Sequence, residues 1–199
     1  MSSAMGALKA ATAVHHERLE RRVDIERALT TRDGYRALLE RFYGFYRPLE
    51  DVLAPVTIPG FDYARKLPLI EADLRTLDST PDTLPLARKV PSVTTVGEAL
   101  GVAYVIEGSA LGGALIGTLV RRNLGIDSAF FAGGPGLAPR WRAFGEVVER
   151  HAPVSTTAAI ATFEEMERWL CGDARREARV AASTRPEGSH SRLGEGPNV

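Results

Sequence analysis

Apolar positions recur at helical spacing along most of the chain, and no segment alternates apolar and polar residues well enough to predict a strand. Met5, Leu8, Thr12, His15 and Leu19 form one stripe, widened by Ala11, while Lys9, His16 and Glu20 fall together along its flank. This pattern predicts a first helix with His15 near the centre of its apolar face and His16 at the rim. Residues 25–29 read as a short turn, and a second long helix is expected to open between Thr31 and Asp33, with Asp33-Gly34 as a candidate cap. That helix carries Tyr35, Leu38, Leu39, Phe42, Tyr43, Phe45, Tyr46 and Leu49, a core-forming set, and Pro48 is expected to kink it or mark its bend. Residues 61–67 read as a loop bearing Arg65 and Lys66, and Pro68 suits the start of a helix running to about Leu77. The prolines of 78–92 predict a surface connection. A helix over about 138–151 follows a Gly133-Gly134-Pro135-Gly136 break. Pro153 separates it from a last helix, capped by Ser155 or Thr156, with Ile160, Phe163, Met166, Trp169 and Leu170 at helical spacing.

Between these lies the best-marked helix and the least expected one. Thr95 and Glu98 have capping-box spacing, and Arg121, Arg122 and Gly125 suit a helix end. Inside these boundaries stand Gly108, Gly112, Gly113 and Gly117. An interior glycine costs roughly 1 kcal/mol against alanine, so these four forgo about 4 kcal/mol that close approach to the backbone must offset. Two explanations fit the spacing equally: a groove for a neighbouring helix, or a flat ligand lying on bare backbone.

The chain of 199 residues suits one all-α domain of seven or eight helices over residues 1–172. Beyond Gly172 the residues are arginine, proline, glycine and serine with few large apolar side chains, which predicts a disordered polar tail over 173–199. Twenty-five basic and 25 acidic residues balance, so no global field favours nucleic acid. A single cysteine, Cys171, excludes an internal disulfide and fits a reducing compartment. Glu107 is expected to interrupt the most apolar stretch before it reaches the roughly 18 residues of a membrane span. Lys9 and two histidines come too early for a signal peptide. Together these features lead to the expectation of a cytoplasmic protein.

Three stretches, in order, resemble the haem oxygenase family. The first helix, Leu8-Lys9-Ala10-Ala11-Thr12-Ala13-Val14-His15-His16-Glu17-Arg18-Leu19-Glu20, is similar to the family's proximal helix; Phe42-Tyr43-Gly44-Phe45-Tyr46 resembles its tyrosine-bearing helix. Tyr104-Val105-Ile106-Glu107-Gly108-Ser109-Ala110-Leu111-Gly112-Gly113 resembles its distal helix, in the form found in bacterial enzymes paired with bacteriophytochromes. The resemblance implies that haem b, as both substrate and cofactor, lies between the proximal and distal helices. It places the iron ligand on His16, although the apolar stripe alone centres on His15. A ligand at the rim suits a haem whose propionate edge must reach water. Glu20 then orients the imidazole, Lys9 binds a propionate, and Arg121, Arg122, Arg140 and Arg142 are further propionate candidates. Gly108, Gly112 and Gly113 let backbone approach the oxygen-binding side of the ring.

Many members carry an aspartate after the glycine matched by Gly108, where this chain has Ser109. The expectation is that Tyr46 and backbone carbonyls near Gly108 hold the proton-carrying waters instead. The implied reaction is cleavage of haem to biliverdin, ferrous iron and carbon monoxide with O2. Electrons would come from an external donor such as a ferredoxin or reductase, since no flavin or nicotinamide fingerprint is present. A bacteriophytochrome is a candidate recipient of the biliverdin. The alternatives are a non-catalytic haem carrier or sensor, and a di-iron enzyme on the same fold; for the latter the chain lacks a repeated Glu-x-x-His spacing.

Overall fold

The computed structural model describes residues 3–132 and 136–172 and is helical throughout. Its elements are α1 (Ala4–Arg22), α2 (Ile25–Ala28), α3 (Arg32–Leu53), α4 (Leu67–Thr76), α5 (Val96–Leu124), α6 (Leu137–Arg150) and α7 (Thr156–Cys171), with a 3-10 turn at Pro81–Thr83. No strand occurs among the described residues. The tail expected over 173–199 lies outside them.

The helix ends follow local chemistry. Ser3, Thr31, Thr95 and Ser155 each accept a hydrogen bond from a backbone N–H of the first turn, which pairs a donor the helix itself leaves open. Thr31 therefore caps α3, rather than Asp33-Gly34. Thr95 and Glu98 complete the expected capping box, and Gly125 closes α5 in the left-handed conformation (φ 67°) that glycine adopts without strain. Two starts are capped from a distance. Glu149 on α6 accepts from Ala4 N and Met5 N, both at 3.0 Å, at the head of α1. Glu50 on α3, 1% exposed, accepts from Lys66 N at 2.5 Å and Leu67 N at 3.2 Å at the head of α4, where Lys66 itself makes no cap.

Helix α7 stands at the centre of the packing, lying against α1, α5 and α3. α3 contributes more buried apolar residues to the core than any other helix, and Leu39, Phe45, Tyr46, Leu49 and Leu53 among them are almost fully buried. α3 runs through Pro48 as one helix, so the proline does not break it. The 78–92 segment is more than a surface connection. Pro85 and Ala87 lie on α3 at Gly44, with Ala87 N donating to Gly44 O at 2.9 Å and the Trp169 ring filling the rest of the space above that glycine.

Helix α5 is one unbroken span of 29 residues. Contrary to the expectation from Glu107, it contains an 18-residue window of mean hydropathy 1.6, long and apolar enough by length and composition to cross a membrane. Half of that window is buried within the protein, and a core helix meets the same criterion. Glu107 is accommodated rather than disruptive. It is 4% exposed, accepts from Ala64 N at 2.8 Å, and takes two hydrogen bonds at 2.7 Å from the Arg140 guanidinium.

Candidate haem site on α1 and α5

α7 fixes the orientation of α1. Glu167 on α7, 4% exposed, accepts from Arg18 Nε at 2.5 Å and Arg22 Nη1 at 2.6 Å. Burial pushes its carboxyl up, but the two guanidinium hydrogen bonds outweigh that and hold it below the usual range. With Leu8 and Thr12 buried on the inner face, the two histidines separate as the stripe predicts. The His15 side chain is 15% exposed and its Nδ1 is buried without a hydrogen bond, 3.6 Å from Glu164. The His16 side chain is 53% exposed. Its ring meets the edge of Phe163 at 5.7 Å, and its Nδ1 lies 3.5 Å from a Glu20 carboxylate oxygen. With Nδ1 turned to a carboxylate, Nε2 is the nitrogen available to a metal.

Of the six glycines within α5, the four from Gly108 to Gly117 divide into two kinds. A Cβ at Gly117 would lie 2.5 Å from the Phe131 carbonyl oxygen, and one at Gly113 would lie 3.6 Å from the Phe131 ring. A Cβ at Gly108 would touch the Trp141 ring at 3.4 Å. These positions make room for the protein itself: helix α6, through Trp141, at Gly108, and the loop at Phe131 at Gly113 and Gly117. Gly112 is different, since nothing lies within 4 Å of its Cβ direction. It lies in an exposed strip with Ser109, and Leu111 and Leu115 beside it are 40% and 69% exposed. Bare backbone opening on exposed apolar side chains is what a flat hydrophobic ligand requires. α1 and α5 are each held mainly by α7 and pack little against one another.

Behind this strip the Tyr46 hydroxyl lies 3.2 Å from Ser109 Oγ, and Ser109 Oγ donates to Ile106 O at 2.8 Å. Tyr46 is 1% exposed, and burial pushes its phenol up to about 12, with Glu50 and Glu107 adding to the rise. The serine is thus directly linked to the tyrosine.

The remaining candidates are dispersed. Lys9 is exposed and makes no hydrogen bond or ion pair among the described residues. Arg140 is engaged by Glu107 and by the Asp62 carbonyl at 2.5 Å, Arg121 pairs with Asp127 at 2.6 Å, and Arg122 donates to Asn123. Arg142 is exposed. Sequence reasoning had no signal for Phe163 beside His16, because the contact joins helices far apart in the chain. No group of three or more His, Cys, Asp or Glu side chains that could hold a metal converges among the described residues, so the di-iron alternative has no donor set there.

Residues 2–161 match the family model described as heme oxygenase. A curated heme oxygenase of Xanthomonas campestris pv. campestris (strain 8004) is 32% identical over 136 residues, spanning 65% of this chain and 80% of that protein. A histidine on the rim of α1, a bare glycine strip on α5 and this match over nearly all the described helices agree: the chain belongs to the heme oxygenase family.

Proposed function

We propose that this protein opens haem oxidatively to biliverdin, ferrous iron and carbon monoxide, binding it between His16 on α1 and the Ser109–Gly112 strip on α5. The observation that carries the reading is the open Cβ direction at Gly112, which separates it from the three glycines used for internal packing. Haem, when bound, supplies both the iron at which O2 is reduced and the meso carbon that is oxidised.

The chain's own residues position the ring and handle protons. His16 ligates through a neutral imidazole oriented by Glu20, with Phe163 against its edge. Lys9 meets a propionate, and the exposed Leu111 and Leu115 cover apolar porphyrin. Gly112 admits the oxygen-binding side close to backbone and limits which meso carbon is reached. Ser109 has one proton. Because Ser109 gives that proton to Ile106 O, Tyr46 is the donor in the tyrosine–serine pair. With its phenol raised by burial, Tyr46 stays protonated at neutral pH, and the pair holds a proton beside the strip. Tyr46 and Ser109 thereby take the place of the aspartate many members carry.

Electrons come from a separate ferredoxin or reductase, and biliverdin passes to a bacteriophytochrome, as the similarity to the bacterial form of the family suggests. The reaction belongs in the cytoplasm, where Cys171 remains a thiol. The test is to add haem and a reductant to the protein in air. Loss of the Soret band with growth of biliverdin absorption is the expected result. A stable Soret band would identify a carrier, and no Soret band at all would overturn haem binding itself.

A further inference from the structure

Asp73 on α4 is 3% exposed and accepts four hydrogen bonds: from Tyr35 Oη at 3.2 Å, Ser128 Oγ at 2.6 Å, Ala129 N at 2.6 Å and Phe130 N at 3.1 Å. Ser128 Oγ in turn accepts from Phe131 N at 2.9 Å. A buried carboxylate without a bonded cation is costly unless its lone pairs are filled, and here three of four donors come from one short loop after α5. That loop carries two rings to the back of the candidate site. Phe130 lies edge-on to Tyr46 at 5.7 Å and against Phe42 at 5.2 Å. Phe131 presses its carbonyl on Gly117 and its ring on Gly113. Gly113 and Gly117 are therefore seats for a loop that Asp73 pins.

We propose that Asp73 is a positioning residue: by fixing residues 128–131 it sets where the Tyr46 ring and the middle of α5 stand, and so sets the Tyr46–Ser109 hydrogen bond. This rests on the haem-cleaving reading for its consequence, but not for its geometry. Replacing the carboxylate by an amide turns an N–H donor toward loop donors, so Asp73→Asn releases the loop while keeping the side chain's volume. Ser128→Ala removes the acceptor for Phe131 N. Tyr35→Phe keeps the ring that packs on Phe131 and leaves the loop's three hydrogen bonds to Asp73 in place, so it tests whether losing any one hydroxyl partner of this cluster is enough.

The experiment has two readouts. In haem-free protein labelled with 13C-tyrosine, the Tyr46 ring resonance, assigned by its absence in Tyr46→Phe, is expected to shift in Asp73→Asn and Ser128→Ala and to stay in place in Tyr35→Phe. In the haem complex, the first two variants are expected to keep the wild-type Soret spectrum, lose about 10- to 100-fold in turnover and change the ratio of biliverdin isomers, on the scale seen when reacting groups are displaced by about 1 Å. Tyr35→Phe is expected to keep rate and ratio. An unmoved Tyr46 resonance in the first two variants overturns the proposal whatever haem does. So does wild-type rate and isomer ratio in Asp73→Asn, or an equal change in Tyr35→Phe. Wild-type protein that fails to cleave haem overturns the functional reading instead, and leaves the resonance to decide the positioning role.

Discussion

The Tyr46 hydroxyl lies 3.2 Å from Ser109 Oγ, and Ser109 donates its own proton to Ile106 O at 2.8 Å. A buried phenol is thereby linked through one hydroxyl to the exposed strip of α5. If a proton reaches the ligand by this route, either oxygen is indispensable and removing both is little worse than removing one. Tyr46→Phe and Ser109→Ala are each expected to lower turnover by about 100-fold, with the double variant close to the singles. Single-turnover rates check this. Additive losses would show two independent roles.

The same phenol makes a prediction about pH. Burial raises the folded-state value of Tyr46 from the usual 10 to about 12, so the native state holds a proton that the unfolded state releases first. The stability this contributes is fully present below pH 10 and is lost as pH rises toward 12. Urea midpoints measured at pH 9, 10 and 11 are expected to fall more steeply for the wild type than for Tyr46→Phe, by up to about 1.4 kcal/mol per pH unit. Parallel curves would mean that Tyr46 ionises freely.

The glycines of α5 should separate by stability. Gly112→Ala adds a methyl to open space and gains the helix preference of alanine, up to about 1 kcal/mol. Gly117→Ala forces a methyl against the Phe131 carbonyl and is expected to cost roughly 1–3 kcal/mol. Thermal unfolding of the two variants tests the division. A loss at Gly112 equal to that at Gly117 would place protein, rather than a ligand, over both.

Activity should reverse that order. Gly112→Leu is expected to retain haem through His16 yet lose biliverdin formation or change which meso carbon is cut, since its side chain takes the space needed beside the ring. Product analysis by chromatography decides it. A wild-type rate and isomer would remove haem from this helix.

Much of the fold was legible because helix ends are written locally: Thr95 with Glu98, Ser155, and Gly125 each act within one turn of themselves. Where the cap comes from another helix, as Glu50 serves α4 and Glu149 serves α1, sequence gave no sign. The contrast between His15 and His16 followed from the 100° step alone, and their side-chain exposures match it. The glycines were ambiguous because spacing gives the face a residue occupies but not what lies opposite. Only the loop at Phe131 distinguishes Gly113 and Gly117 from Gly112. Asp73 was invisible for the same reason, since its loop partners lie 55 to 57 residues further along the chain and Tyr35 lies 38 residues before it.

The account depends most on which histidine meets the iron. His15 turns its Nδ1 inward toward Glu164 of α7 with its side chain 15% exposed, whereas His16 is half exposed at the rim beside Glu20. The decisive measurement is the absorption spectrum of ferric haem added to His16→Ala and to His15→Ala at neutral pH. The account predicts that His16→Ala loses the histidine-ligated ferric spectrum of the wild type, or regains it only with added imidazole, while His15→Ala keeps it. The opposite pattern would contradict the assignment and, with it, the placement of haem between α1 and α5.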